Sequence, residues 1–366
     1  LTICIFSSSF SINNALNENA KTLMPADVQC YNFIKINDDV EGVKNKEPVS
    51  EYLKGKQVDL TMFSESVEVL LYWYQEDNTM VYQEVGGGNV FTTGEVMKES
   101  DYNKVAAIYN LEPVSLEKDE YVIVANYDYL EQEWRNRMTA GQKIHLAGRD
   151  YHPASADCVN GFLQMSSNPS NSGFTVVPDE AFSDEKLKPH SWYYIANYNK
   201  NYAKGVEYVE QFLNNEKFKK SLGSHTYVET RQDILSKSIS LSSLIVFLGL
   251  YLGIIFLLAS SAMLSLKELT QAADNRDKYM ILRKIGIDEK MINRSLFRQN
   301  AIFFGMPLGL AVIHSIFGIQ VCTYILEVFG KAGLTQAIVM TAVGLLVVYM
   351  IYFIITYRCS RRIIHN

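Results

Sequence analysis

The stretch SISLSSLIVFLGLYLGIIFLLASSAMLSL, residues 238–266, decides the fold class because it runs for 29 residues without a charged side chain. Nearer the C-terminus, a second charge-free run covers 28 residues and a third covers 26. About 20 apolar residues suffice to cross the hydrocarbon core of a bilayer as a helix. We therefore predict an α-helical membrane bundle. Its three full spans are expected at residues 241–266, 300–326 and 332–357.

Charge divides the 366-residue chain into two parts. Residues 1–240 carry 22 Lys and Arg against 34 Asp and Glu, whereas residues 241–366 carry 12 against 6. The net charge of −6 makes a nucleic-acid binder a poor interpretation. Five Cys argue against a disulfide scaffold, and an apolar content of 48% argues against disorder.

Orientation follows from the positions of the basic residues. Eight lie in the segment 267–299 between the first two spans and three in the tail 358–366, whereas the loop between the second and third spans has only Lys331. The positive-inside rule places basic loops in the cytoplasm. We therefore expect a plasma-membrane protein with residues 11–237 extracellular and both the 267–299 segment and the C-terminus cytoplasmic.

The first ten residues, LTICIFSSSF, are interpreted as the end of a truncated fourth span. The tail of a cleaved signal peptide is the alternative, although a basic n-region and a small-residue cleavage pattern are lacking. Gly249/Gly253 and Gly305/Gly309 have the GxxxG spacing that lets helices approach closely, or they merely relieve crowding. The spans contain no Asp, Glu, Lys or Arg, which argues against an ion or proton relay.

The region before the first full span has the pattern of a large α+β domain, residues 30–228, held on helical stalks at 11–29 and 229–240. Flexible linkers are the alternative to the stalks. Strands are predicted at Cys30–Ile36, Val58–Phe63, Met80–Val85, Tyr121–Ala125, Lys143–Leu146, Gly173–Val177 and Trp192–Ala196. Helices are predicted at Ser64–Tyr72, Ser100–Tyr109 with Ser100 as N-cap, Tyr127–Met138 with Gly141 as stop, and Gly205–Leu222.

Catalytic and metal-binding patterns are weak in this domain. His145 and His152 are too far apart for usual zinc spacing and are better explained by a strand and a turn. Gly86–Gly88 lacks a phosphate-binding frame, and the chain has no Walker-type loop, so we expect no cofactor, no metal and no ATPase activity in this chain. Cys30 and Cys158 could pair, but sequence separation does not decide it.

Aromatic side chains and acidic groups are abundant in the same domain. Tyr72-Trp73-Tyr74 and Trp192-Tyr193-Tyr194 are dense clusters of the kind found at ligand or partner surfaces, although a β-rich core would also use them. The excess of acidic groups would attract a cationic ligand or partner.

The segment 267–299 predicts a helical elbow. Tyr279, Leu282 and Ile285 lie on one side of a helix that ends at Gly286, and Asp288 then begins a helix that continues into the second span. Such an elbow is a rigid lever on a membrane helix. A basic segment that only anchors on anionic lipid is the alternative.

These residues resemble a family. RDKYMILRKIG (276–286), PLGLAVIHSIFGIQV (307–321) and SDYNKVAAIYNLEPVSLEKDEYVIV (100–124) are similar to segments of FtsX-like ABC transporter permeases of the BceB type, which export bacitracin and related antimicrobial peptides. The resemblance covers essentially the whole chain but only the C-terminal half of such a permease, whose complete form is expected to have ten spans.

The resemblance implies mechanotransmission. A separate ATP-binding subunit, as a dimer, would push on the elbow and move the extracellular domain, which would engage peptide antibiotics or lipid-linked cell-wall precursors. A sensor histidine kinase would share the complex. The expected coupling residues are Arg283, Lys284, Ile285, Gly286 and Asp288. The alternatives are a permease for lipoprotein release or wall-hydrolase activation, and a membrane receptor whose elbow does no mechanical work.

Overall fold

The computed structural model describes residues 2–33, 54–55, 59–73, 82–85, 88–91, 94–183, 187–199, 215–217, 226–326 and 334–365. The chain divides into two compact units. The helical unit comprises Leu1–Asn17 and Ile239–Asn366, and the sheet domain comprises Glu18–Ser238.

The described helices and strands alternate in the sheet domain and give way to helices alone in the last third of the chain. The helices are α1 (Thr2–Thr22), α2 (Glu99–Tyr109), α3 (Asp128–Thr139), α4 (Arg231–Asp274), α5 (Arg276–Lys284), α6 (Glu289–Leu326) and α7 (Leu334–His365). The first six strands are β1 (Val28–Phe33), β2 (Phe63–Trp73), β3 (Tyr82–Val85), β4 (Gly88–Phe91), β5 (Glu95–Lys98) and β6 (Glu120–Ala125). The others are β7 (Ile144–Leu146), β8 (Arg149–Pro153), β9 (Val159–Asn160), β10 (Phe174–Val177), β11 (Lys188–Tyr198) and β12 (Thr226–Thr230).

Three helices of the helical unit are long and apolar enough to cross a membrane: α4, α6 and α7. They expose large apolar side chains, such as Phe247 at 64% and Met306 at 72%. Such exposure is costly in water but natural in lipid, where the helix satisfies its own backbone hydrogen bonds. The prediction of three long apolar membrane helices is confirmed, and the chain is a membrane protein.

Helix α1 packs within the helical unit. A Cβ atom built on Gly249 would lie 1.8 Å from the Oγ of Ser9, and one built on Gly253 would lie 2.6 Å from the ring of Phe6. The Oγ of Ser242 donates to the Oδ1 of Asn13 at 2.6 Å. The first GxxxG pair therefore lets two helices approach closely. At Gly305 and Gly309, by contrast, an added Cβ would meet no atom of the described chain within 4 Å.

The sheet domain is built on one large mixed sheet. Its strand order is β12-β1-β11-β2-β5-β10-β6-β8-β7, with β9 beside β6, and β3 and β4 form a separate hairpin. Strand β10 pairs parallel with β5, and β6 pairs parallel with β8 and β9. The other pairs are antiparallel, among them β1 with β11 and β12, and β11 with β2.

Strand β6 lies between two apolar layers. Val122 and Val124 pack in the cluster that contains the α2 side chain Tyr102, whereas Ile123 packs in the cluster that contains Trp134 of α3. Because successive side chains of a strand point to opposite faces, the two helices cover opposite faces of the sheet. This arrangement confirms the α+β class.

One predicted helix is wrong. Residues 64–72 lie in the 11-residue strand β2, where Val67, Val69 and Leu71 are buried and alternate with less buried neighbours. The period of two places them on one face of the sheet, and this pattern outweighs the absence of helix breakers. The strand predicted at Val58–Phe63 is also wrong, because Leu60–Met62 form a short 3-10 turn before β2.

The predicted stalks extend too far into the sheet. Helix α1 ends at Thr22 rather than at residue 29, because Pro25 follows and β1 begins at Val28 to pair with β11. Helix α4 begins at Arg231, since Glu229 and Thr230 still pair with β1. That the helices act as stalks stays a prediction.

Local signals at helix ends gave mixed results. Gly141 follows α3 with a φ of 66°, as expected of a stop. Ser100 is not the N-cap of α2, because Lys98 holds that position and the Ser100 backbone N–H donates to the Asp179 carboxylate at 3.0 Å. The helix predicted at Gly205–Leu222 lies outside the described residues, apart from residues 215–217.

Candidate functional site

The elbow between α5 and α6 is a tight, hydrogen-bonded turn. Gly286 has a φ of 90°, its backbone N–H donates to the Arg283 carbonyl at 3.0 Å, and the N–H of Ile287 donates to the Leu282 carbonyl at 3.1 Å. These are the two bonds of a Schellman motif, with glycine at the left-handed position. Leu282 and Ile287 also pack against the same apolar cluster, which completes the motif.

Asp288 begins the next helix. Its carbonyl accepts from the backbone N–H of Met291 at 2.9 Å and of Ile292 at 3.2 Å. The residue therefore holds the N-cap position of α6, as the sequence predicts. Only Ile285 to Asp288 separate the two helices, so the elbow has little freedom to bend.

A charged clasp holds the elbow to the end of α7. The Nε of Arg283 donates to the Glu289 carboxylate at 2.6 Å, and its Nη1 donates to the Ile364 carbonyl at 2.8 Å. The Nε2 of His365 lies 2.9 Å from the other oxygen of Glu289. The hydrogen bond from Arg283 is the main reason that the pKa of Glu289 is lowered, and the charges of Arg283 and His365 add to it.

A small apolar cluster supports the elbow from within the helical unit. It joins Ala272 of α4, Tyr279 of α5, Leu296 of α6 and Ile364 of α7. The Tyr279 hydroxyl donates to Gln299 at 3.3 Å. Four helices therefore meet beneath the turn.

The outer face of the elbow is apolar and open. Ile281, Ile285 and Met291 are 59%, 69% and 65% exposed, and Ile281 and Ile285 share one helix face because they are four residues apart. Lys284 and Asp288 flank them and are also exposed. An exposed apolar patch with a charged rim is typical of a protein interaction surface. We call Ile281, Ile285 and Met291 the elbow patch.

The five predicted coupling residues lie on this one turn but do not face the same way. Lys284, Ile285, Gly286 and Asp288 are exposed, whereas Arg283 is only half-buried and bonds within the chain. Sequence reasoning missed Glu289 and His365. Their partnership joins positions far apart in the chain, and no local spacing signals it.

The sheet domain has a cavity at the start of α2. It is open to the surface and has a volume of about 410 Å³. Three carboxylates line it against a single Lys, so it would attract a cation. The lining residues are Glu99, Ser100, Asn103, Leu116, Lys118, Pro178, Asp179 and Glu180.

The other residues considered as sites have structural surroundings. His145 lies 2.8 Å from Asp150 at the surface, and His152 lies 3.5 Å from Asp119. Cys30 and Cys158 are thiols that are not bonded to each other. Cys30 packs with Trp192, whereas Cys158 packs against the apolar cluster that contains Trp134 of α3.

The aromatic triplets are mainly core residues. Trp192, Tyr193 and Tyr194 are buried, and Tyr72 is half-buried. They fill the sheet domain rather than form a ligand surface. Tyr74 and the side chain of Trp73 lie outside the described residues.

Comparison with known proteins points to one family, although no family model matches the sequence. The ABC transporter permease protein YxdM of Bacillus subtilis is 26% identical over 160 residues, which are 44% of this chain and 25% of YxdM. The bacitracin export permease protein BceB of the same organism is 30% identical over 91 residues, 25% of this chain and 14% of BceB. This chain is similar in sequence to ABC transporter permeases, BceB among them.

The matched stretches span about a quarter or less of these BceB-type relatives. Among solved structures, the periplasmic region of MacB from Actinobacillus actinomycetemcomitans aligns with a TM-score of 0.26 and 8% identity, over 62% of this chain and 97% of that one. Both curated relatives are named as permease proteins.

Proposed function

We propose that this chain couples ATP hydrolysis in a partner ATP-binding subunit to movement of the sheet domain. The observation that carries the proposal is the elbow patch, an exposed apolar surface on a turn that is hydrogen-bonded to the end of α7 and supported by an apolar cluster with residues of α4 and α7. A partner that docks there pushes on a stiff element instead of a flexible loop.

The distribution of charge supports the orientation. Eight basic residues lie in the segment 267–299, which contains the elbow, and by the positive-inside rule this supports a cytoplasmic elbow, on the side of the membrane where ATP is found. The sheet domain is then extracellular. Helix α4 runs unbroken for 44 residues from Arg231 to Asp274, and an unbroken helix is suited to carry a displacement along its axis.

The family relationship supports the physiological role. One relative is named as a bacitracin export permease. We propose that this chain acts in resistance to peptide antibiotics that target the cell wall, and in their sensing together with a histidine kinase. The ligand of the extracellular domain would be the peptide or its lipid-linked precursor, and the excess of acidic groups in residues 1–240 favours a cationic one.

The test introduces a charge into the elbow patch. Ile285→Asp should abolish co-purification of the ATP-binding subunit and resistance to bacitracin, because burying an unpaired carboxylate in an apolar interface is strongly unfavourable. Ala273→Asp is the matched control, since Ala273 is exposed in the same segment but outside the patch. Normal co-purification and resistance in Ile285→Asp would instead favour a receptor whose elbow does no mechanical work.

A further inference from the structure

A layer of buried polar groups crosses the helical unit next to the apolar cluster of Ala272, Tyr279, Leu296 and Ile364, which we call the elbow cluster. The Oγ1 of Thr356 on α7 donates to the Oγ of Ser265 on α4 at 2.8 Å. Two turns further along both helices, Ala272 and Ile364 meet in the elbow cluster. Glu268 and Ser360 lie between these two contacts on their own helices, and both are completely buried. They therefore occupy the same layer.

Helix α6 contributes Asn300 to this layer. Leu296 packs in the elbow cluster with Ala272, and Asn300 lies one turn beyond it, level with Glu268 on the antiparallel α4. Asn300 is also completely buried, and its Nδ2 donates to the Leu296 carbonyl at 3.1 Å. That bond uses the amide as a donor and leaves its Oδ1 as an acceptor.

The layer has acceptors in excess of donors. Both carboxyl oxygens of Glu268, the Oδ1 of Asn300 and the Oγ of Ser360 have no hydrogen-bond partner among the described residues. Only the serine hydroxyl in this set carries a proton to donate. A buried carboxylate without a partner is very costly, and neutralising it removes most of the cost.

The charged groups around Glu268 do not compensate a negative charge. Lys267, its neighbour on α4, places its Nζ over the ring of Phe303. Arg283 of α5 is bonded to Glu289 and to the Ile364 carbonyl. Burial raises the pKa of the Tyr279 hydroxyl on α5, and a negative charge on Glu268 raises it further. The layer partners from α6 and α7, Asn300 and Ser360, are both uncharged.

We propose that Glu268 is a proton-binding site: its carboxyl group is protonated at neutral pH, and this proton supplies the missing donor to the Asn300 and Ser360 layer. The neutral acid lets α4, α6 and α7 close beside the elbow. Ionisation leaves a charge buried in the layer and loosens the packing. The proposal does not rest on the coupling function, because its readouts need neither an ATP-binding subunit nor antibiotic resistance.

The direction of the pH effect follows from linkage. A carboxyl group whose pKa is higher in the folded chain than in the unfolded chain binds more protons when folded. Stability is therefore complete below the unfolded value and falls as the pH rises toward the folded value. This is the reverse of the usual behaviour of a salt-bridged carboxylate.

The test uses the full chain in lipid nanodiscs. Glu268→Gln mimics the neutral acid, so we expect its thermal midpoint to match the wild type only at about pH 4, near the pKa of an unfolded Glu, and to exceed it by a few degrees at about pH 7 and above. Infrared spectra at neutral pH should show the C=O band of a protonated carboxylic acid in the wild type but not in Glu268→Gln. Glu289→Gln is the control and should keep the band.

Three results would overturn the proposal. One is an infrared band that is equal in the wild type and Glu268→Gln. A second is a Glu268→Gln variant that is much less stable than the wild type at neutral pH, since that would show a needed negative charge. The third is stabilisation of the wild type, but not of Glu268→Gln, by sodium chloride relative to choline chloride, which would assign the layer to a metal cation.

Discussion

Arg283 and Glu289 lie on opposite sides of Gly286 and close the elbow with a bond of 2.6 Å between Nε and Oε1. The backbone of the five residues 284–288 and one ion pair thus form a small ring. His365 joins the same carboxylate from the end of α7. The elbow is therefore held in one shape from inside the chain, while its outer face is left open.

The clasp predicts a specific response to acid. Because Arg283 and His365 lower the pKa of Glu289, the ionised form favours the folded chain, and the contribution of the clasp is lost as the pH falls through that lowered value. Glu289→Gln should be less stable than the wild type at neutral pH, and the difference should shrink below about pH 4. Thermal unfolding in nanodiscs across this range measures it. The control Asp274→Asn alters an exposed carboxylate of the same segment, and a similar loss in both variants would argue against the clasp.

Gly286 predicts a purely conformational effect of substitution. An added Cβ would meet no described atom within 4 Å, but the φ of 90° is disfavoured for any residue with a side chain. Gly286→Ala should cost about 1–2 kcal/mol, and Gly286→Asn should cost less. Gly286→Pro also removes the N–H that bonds to Arg283, so it should abolish resistance while membrane insertion, followed by cell fractionation, is unchanged. Full resistance in Gly286→Pro would contradict the lever.

The two GxxxG pairs should respond differently to the same substitution. Gly249→Val would push a side chain into Ser9 of α1, and we expect a loss of about 1–3 kcal/mol from overpacking. Gly309→Val is the matched control, because the described chain leaves open space there. The fraction that remains monodisperse after heating would distinguish them. Equal losses in the two variants would show that α1 does not pack against Gly249.

Arg231 joins the start of α4 to the segment before β1 inside the sheet domain, and its replacement is expected to destabilise that domain. Its guanidinium donates to the carbonyls of Pro25 and Ala26 at 2.8 and 3.2 Å, next to Asp27 at 3.4 Å. Arg231→Lys keeps the charge but loses the forked geometry, and we expect the domain to lose about 1–3 kcal/mol of unfolding free energy. Urea unfolding followed by Trp fluorescence reports this domain, since all three Trp residues lie in it. Arg135→Lys, at an exposed ion pair with Asp157, should change little; losses of equal size would refute the role of Arg231.

The parts of the structure that sequence predicted best are those with local causes. The charge-free runs produce the spans, and Gly286 and Asp288 each act on their nearest backbone groups. The start of α2 depends instead on a distant residue. Asp179 accepts a hydrogen bond from the Ser100 backbone N–H, so the local N-cap rule predicts the wrong residue. The helix predicted at residues 64–72 rests on the absence of helix breakers, whereas the alternation of Val67 and Val69 is the signal of strand β2, which pairs with β11.

The candidate site divides in the same way. The sequence indicates the turn and its basic residues, but it does not distinguish Arg283, which bonds inward, from Lys284, which is exposed. That difference depends on Ile364 and His365 of α7, which meet the elbow only when the helices pack. The completely buried Glu268 was also missed, because no local pattern in the sequence signals the burial of a carboxyl group.

The most direct test of the coupling account is a cross-link from the elbow patch to the ATP-binding subunit. Ile285→Cys should be made with Cys359→Ser, because Cys359 is exposed, and Ala273→Cys in the same background is the control. We predict that a short bifunctional thiol reagent joins residue 285, but not residue 273, to the ATP-binding subunit in membranes, and that ATP changes the yield. A complex that assembles without any cross-link at residue 285 would contradict the account.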